Sequence, residues 1–292
     1  MEHTKASRLV TAGLVVGSII GTYFFAGPRN KKRQTDVVPE FQDELDTNLI
    51  TPANATFATV WPVIYAGTLG LAVHQALPSQ ANNRRYDRAA PWLVANYLLN
   101  GLFGVFFSRG EKGARVGANL STVATLPTVL VLHRALEVGR AERGTADVPE
   151  PERTFHRAVG IYAGWITVAT GVATTNLLIE GGWREPKEKA TPYAVGLLGT
   201  LAAIGVAVSK KLNDPFYLLP FVAGFTGVAV KQYGRNKAVA GVAGALALTA
   251  LGTFVRALQT HQVRPEPRHY DADESEQARQ AMAQEPAYVD LD

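Results

Sequence analysis

The chain has 292 residues, 47% of them apolar, no cysteine and a formal net charge of +4. Without cysteine there is no disulfide framework, no thiolate catalysis and no cysteine-ligated zinc or iron-sulfur cluster. The basic residues cluster at the ends of apolar blocks instead of forming one stripe, a pattern of membrane flanks and not of a nucleic-acid footprint. The mean hydropathy of +0.02 therefore averages two kinds of segment, uncharged blocks and the charged links between them.

The first block, Leu9 to Pro28, follows Lys5 and Arg8. A signal-peptide cleavage site requires small residues at the last and third-last positions. Cutting after Ala26 or Gly27 puts Phe24 or Phe25 third-last, so the block reads as a retained helix. Gly13, Gly17 and Gly21 recur every four residues and leave bare patches on one face, which suits close approach of a helix from this chain or a second copy. Residues 29 to 46, with four basic and five acidic side chains, read as a solvated loop.

The next block is uncharged from Thr47 to Asn83. Its helix is expected to start after Pro52 and stop before Pro78, since proline favours helix starts and the positions just past helix ends. Pro62 lies inside it and removes a backbone donor, freeing the carbonyl of Ala58. Further uncharged blocks run from Ala89 to Ser108, Val116 to His133, Ala158 to Ile179, Ala190 to Ser209, Pro215 to Val230 and Ala238 to Val255. A bilayer core about 30 Å thick needs roughly 17 to 25 mostly apolar helical residues per crossing. Eight spans are expected on that basis; Pro215 to Val230 is the shortest and contains Pro220. Basic residues divide almost evenly between the two sides, with a slight lean toward both termini inside. The acid-rich tail beyond His261 reads as disordered.

The spans hold few acids, bases or nucleophiles, and no Walker loop, HExxH or GxSxG occurs. His74, His133 and His156 fall near span ends and read as interfacial histidines before they read as haem ligands. A binder, carrier or channel is expected ahead of an enzyme. The spans do carry aromatic and amide side chains at helical spacing. Phe57, Trp61 and Tyr65 share one face of their helix. Phe103 and Phe107 repeat the spacing after Asn96 and Asn100, and Trp165 opens WITVAT. The bland account of such a stripe is packing between helices, and that of Asn100 a hydrogen bond to a neighbour.

These stretches resemble the translocator protein, or tryptophan-rich sensory protein, family. FATVWPVIYAGTLGLAVHQAL is similar to the family's second helix through Phe57, Trp61, Tyr65 and Gly70. YLLNGLFGVFF at 97 to 107 resembles the third helix, and IYAGWITVAT at 161 to 170 the fifth. The likeness covers roughly residues 9 to 180. It departs at Phe103, where tryptophan is usual, at Ala173, where an asparagine is usual and Asn176 stands one turn on, and at Thr59, where the family carries its proline.

The resemblance implies an all-α, polytopic membrane helix bundle. Residues 1–180 would form a five-helix translocator-like unit, 181–256 about three additional transmembrane helices, and 257–292 a polar, disordered tail. It further implies a multi-pass protein of a bacterial cytoplasmic or internal membrane, often a homodimer, that takes a porphyrin-like or other flat apolar molecule, haem included, with no covalent cofactor, no metal and no nucleic-acid partner. By position, Trp61, Tyr65, Asn100, Phe103 and Trp165 would lie near the ligand. The competing reading is a structural or assembly subunit of a larger membrane complex; a porphyrin-degrading enzyme is the weakest.

Overall fold

The computed structural model describes residues 2–26, 48–109, 112–183 and 189–262, so the loop expected at 29–46 and nearly all of the tail expected at 257–292 lie outside the described residues. Nine α-helices appear among them: α1 (Glu2–Ala26), α2 (Asn54–Gln75), α3 (Arg84–Phe107), α4 (Lys112–Ala135), α5 (Val138–Glu142), α6 (Glu152–Glu180), α7 (Ala190–Leu212), α8 (Leu219–Gln232) and α9 (Lys237–Gln262). Two short 3-10 segments, Pro78–Gln80 and Pro215–Leu218, complete the described secondary structure, which contains no strand.

Local chemistry sets several ends. Asn83 caps α3 by accepting the amide of Arg85 at 3.1 Å, satisfying one of the donors that a helix start leaves free. At the end of α7, Asn213 takes a left-handed conformation with φ 54°, which asparagine tolerates at a helix C-terminus. Asp214 then caps the 3-10 segment by accepting the Phe216 amide at 2.9 Å.

Six helices, α2, α3, α4, α6, α7 and α9, are long and apolar enough to cross a membrane. Two of the eight expected spans are not among these six. The apolar part of α1 is the shorter stretch Ala6–Thr22, and α8 has only 14 residues, about 21 Å at 1.5 Å per residue and short of a 30 Å core. The segment Pro215 to Val230 begins with a 3-10 turn, and the α-helix starts only at Leu219. Tyr217, Phe221 and Phe225 are almost wholly buried, so this apolar run serves the interior of the protein.

The helices α1, α2, α6, α4 and α3 close a ring in that order, each packing on the next and α3 returning to α1. The central member is α6: 67% of its apolar stretch is buried, against 33% for α2, α3 and α4. On its outer side α7 and α8 pack on α6, α8 also meets α2, and α9 covers α7 and α8. One buried cluster runs continuously from Ile64 and Trp165 through Leu198, Phe221 and Ala243, so α7 to α9 share their core with α2 and α6. A second cluster, including Val15, Leu71, Leu93 and Leu132, fills the side of α1 and α3.

Close backbone approach explains two glycines. A Cβ at Gly164 would fall on the Tyr217 carbonyl, and one at Gly67 on the Ala158 side chain. The glycines of α1 behave differently: a Cβ at Gly13, Gly17 or Gly21 would meet nothing within 4 Å. The face of α1 that packs in this chain is Arg8, Val15, Ser18 and Thr22, with Ser18 donating to the Tyr97 carbonyl at 2.6 Å.

Candidate functional site

The aromatic stripe of α2 faces α6. Phe57 meets Trp165 edge-on with ring centroids 5.4 Å apart, and Trp61 meets the same ring edge-on at 6.3 Å. Trp61 also stacks on Tyr65 at 5.0 Å. These edge-on and stacked arrangements are the ones that aromatic quadrupoles favour. Trp165 is almost wholly buried, whereas Phe57, Trp61 and Tyr65 are half-buried and so form the accessible rim of the cluster.

The polar end of the cluster is Asn100 on α3. Its side-chain oxygen accepts from Thr22 of α1 at 3.1 Å and from the Tyr65 hydroxyl at 3.4 Å. Four of the five expected residues, Trp61, Tyr65, Asn100 and Trp165, are thus joined in one contact chain that runs across α6, α2 and α3. The fifth, Phe103, has Phe107 as its ring partner, stacked at 5.4 Å.

Two tyrosines belong to this group that residue spacing alone left out. Tyr162 lies 6.3 Å from Trp61 and 6.5 Å from Tyr97, centroid to centroid. Tyr97 donates to the Thr68 hydroxyl, while the Tyr162 hydroxyl is buried without a hydrogen-bond partner. Each sits three residues before a motif residue, Tyr162 before Trp165 and Tyr97 before Asn100. A helical reading of IYAGW and YLLN backwards by one turn finds them.

Asn176, on α6 one turn beyond Ala173, accepts from Asn48 at 2.7 Å and donates to Asn119 of α4 at 3.5 Å. This amide chain ties the segment before α2 to α6 and α4. A small crevice opens beside it, lined by Asn48, Thr175, Ile179, Trp183 and Tyr193 among others. None of the five expected site residues lines that crevice.

The opposite end of the ring is ionic. Arg8 of α1 is 3% exposed and donates to Asp87 at 2.6 Å, to the Asn83 carbonyl at 3.1 Å, to the Gln75 carbonyl at 3.4 Å and to the Gln80 carbonyl. Arg85 forks onto Glu152 through Nε at 2.8 Å and Nη2 at 3.3 Å. The three histidines expected at the membrane interface are buried among protein groups. His74 pairs with the Tyr86 hydroxyl at 2.6 Å, His133 with Asp214 at 2.9 Å, and His156 lies beside Glu152. No group of three or more histidine, aspartate or glutamate side chains suited to a metal ion occurs among the described residues.

Long apolar helices, a helical ring and charges confined to helix ends and links define a multi-pass helical membrane protein. The family described as TSPO-like protein matches residues 8–256. The chain belongs to that family, and the match extends past α6 to take in α7, α8 and most of α9. No curated protein and no solved structure gives a significant match.

Proposed function

We propose that the protein is a membrane receptor or carrier that binds a flat, largely apolar, porphyrin-like molecule, haem included, against the aromatic cluster of α2 and α6. The observation that carries this reading is the contact chain Phe57, Trp165, Trp61, Tyr65 and Asn100. A flat conjugated ligand gains from aromatic faces, and a few amides or hydroxyls orient it. The half-buried Trp61 and Tyr65 offer the faces; Asn100 and the unpartnered Tyr162 hydroxyl offer the polar end. Phe103 belongs to the outer part of such a site, one turn beyond Asn100.

In this reading residues 1–180 supply a five-helix ligand-binding unit, and residues 181–256 buttress α6, the helix that carries Trp165. The protein acts by binding, not by chemistry. The test is porphyrin titration followed by tryptophan fluorescence, with Trp61→Ala and Trp165→Ala variants checked for unchanged helicity. Saturable quenching, weakened about thirtyfold or more by each substitution, is expected, in line with the loss of about 2 kcal/mol or more on truncating an aromatic anchor. Equal affinities in wild type and both variants would remove the ligand from this cluster.

A further inference from the structure

The ionic end of the ring holds a row of groups that ligand binding at the aromatic cluster does not use. Glu152, His156 and Gly160 lie at i, i+4 and i+8, on one face of α6. The Glu152 carboxylate accepts from Arg85 and, at 3.0 Å, from Asn83. One turn on, His156 Nε2 is 3.4 Å from Glu152 Oε1, yet neither imidazole nitrogen has a hydrogen bond. A further turn on, a Cβ at Gly160 would strike the Asp214 carboxylate, whose Oδ2 meets His133 Nε2 at 2.9 Å. Glu152, His156, His133 and Asp214 are each 2% exposed or less.

The two ion pairs stand without His156. Arg85 and Asn83 satisfy Glu152, and the Phe216 amide and His133 satisfy Asp214. A buried neutral imidazole with neither nitrogen hydrogen-bonded carries a desolvation penalty, so an apolar side chain would pack there more favourably. What an imidazole adds is the capacity to take up a proton. Buried ionisable groups within a membrane protein mark proton relays and ion paths, with carboxylate and histidine as their usual members.

We propose that Glu152, His156, His133 and Asp214 form a proton-binding site. One proton from the aqueous phase enters beside Arg85, whose side chain is 20% exposed, and adds to the lone pair of His156 Nε2 opposite Glu152 Oε1; on release it returns to water. The other charged and titratable groups at this end include Arg85, Tyr86, Asp87 and Arg88 of α3, Arg8 of α1, His74 of α2, His133 of α4, Glu137 and Glu142, Arg153 and Arg157 of α6, and Asp214 of the α7–α8 link. The two pairs meet at Gly160, where the Asp214 carboxylate packs against α6 one turn beyond His156, so a proton on one pair is felt by the other. Because Asp214 is wedged against Gly160, proton occupancy also bears on how the α7–α8 link seats on α6.

The experiment is a pH titration of the full-length protein in lipid nanodiscs with ¹⁵N-labelled histidine, from about pH 4 to about pH 9, a range that spans the ordinary histidine value. Resonances are assigned with His156→Gln, His133→Gln and His74→Gln. The His156 midpoint is expected to move by about 1 pH unit in His133→Gln, the scale of a coupled pair, and to stay in place in His74→Gln. If the substitutions disturb folding, the wild-type curves decide: a two-step titration shared by both resonances supports the site. An unmoved midpoint, independent single-step curves, or a His156 that never titrates overturns it.

Discussion

Replacing Arg8 by methionine tests whether α1 is bolted to the ring by one buried cation. The guanidinium makes four contacts, one with the Asp87 carboxylate and three with the carbonyls of Gln75, Gln80 and Asn83. Removing one member of a buried ion pair costs about 3–5 kcal/mol when the other charge stays buried. Here the Asp87 side chain is 45% exposed and regains water, but three carbonyls lose a charged donor at about 1 kcal/mol or more each, about 3 kcal/mol in all or roughly a hundredfold in the unfolding equilibrium. Methionine keeps much of the apolar stem and helix propensity, which isolates the lost charge. Unfolding in mixed micelles with rising SDS reads the global effect, and hydrogen exchange in α1 reads the local one. Asp87→Asn is the control: its amide oxygen and the three carbonyls still accept from the guanidinium, so it should cost less than Arg8→Met. Equal losses in the two variants, or α1 exchange no faster in Arg8→Met, would refute the bolt.

Asn100→Leu removes the acceptor shared by Thr22 and Tyr65 and should lower stability by about 0.6–1.7 kcal/mol, the range for hydrogen bonds between membrane helices; loss of less than Thr22→Val alone would show that the amide is not the hub of that contact. Gly164→Ala sets a methyl against the Tyr217 carbonyl and should cost about 1–3 kcal/mol through overpacking. Gly199→Ala meets nothing within 4 Å and should be neutral or stabilise by up to about 1 kcal/mol. Thermal unfolding in detergent compares the pair, and equal melting temperatures would contradict the close approach of α6 and the 3-10 segment.

What was legible in the sequence follows the range of the interaction. Phe57, Trp61 and Tyr65 share a face because their spacing is helical, and that face does meet Trp165. Ring partners set by a neighbouring turn were legible in the same way, as with Phe103 and Phe107. Local pattern said less about Phe103 relative to the cluster, because whether a residue one turn beyond Asn100 points at the same neighbour depends on how α3 crosses α2. The length of α8 was hidden for a related reason: hydropathy over Pro215 to Val230 does not distinguish a 3-10 start capped by Asp214 from a full α-helix.

The histidines carry the argument furthest. A histidine near the end of an apolar block reads as interfacial when its surroundings are taken from its own segment, since water lies close by along the chain. His133 finds Asp214 81 residues away, and Glu152 finds Arg85 67 residues away, so the acids that make these ends ionic arrive from other helices and links. Burial then changes their chemistry: a charge pair that would contribute little at a wet surface becomes costly to break once its partners are desolvated. Glu152 at the first turn of α6 and Asp214 between α7 and α8 therefore hold together elements that hydropathy alone presents as independent spans. His156 on α6 lies beside the first of these carboxylates and one turn from the contact with the second, and the proposed proton-binding site turns on it.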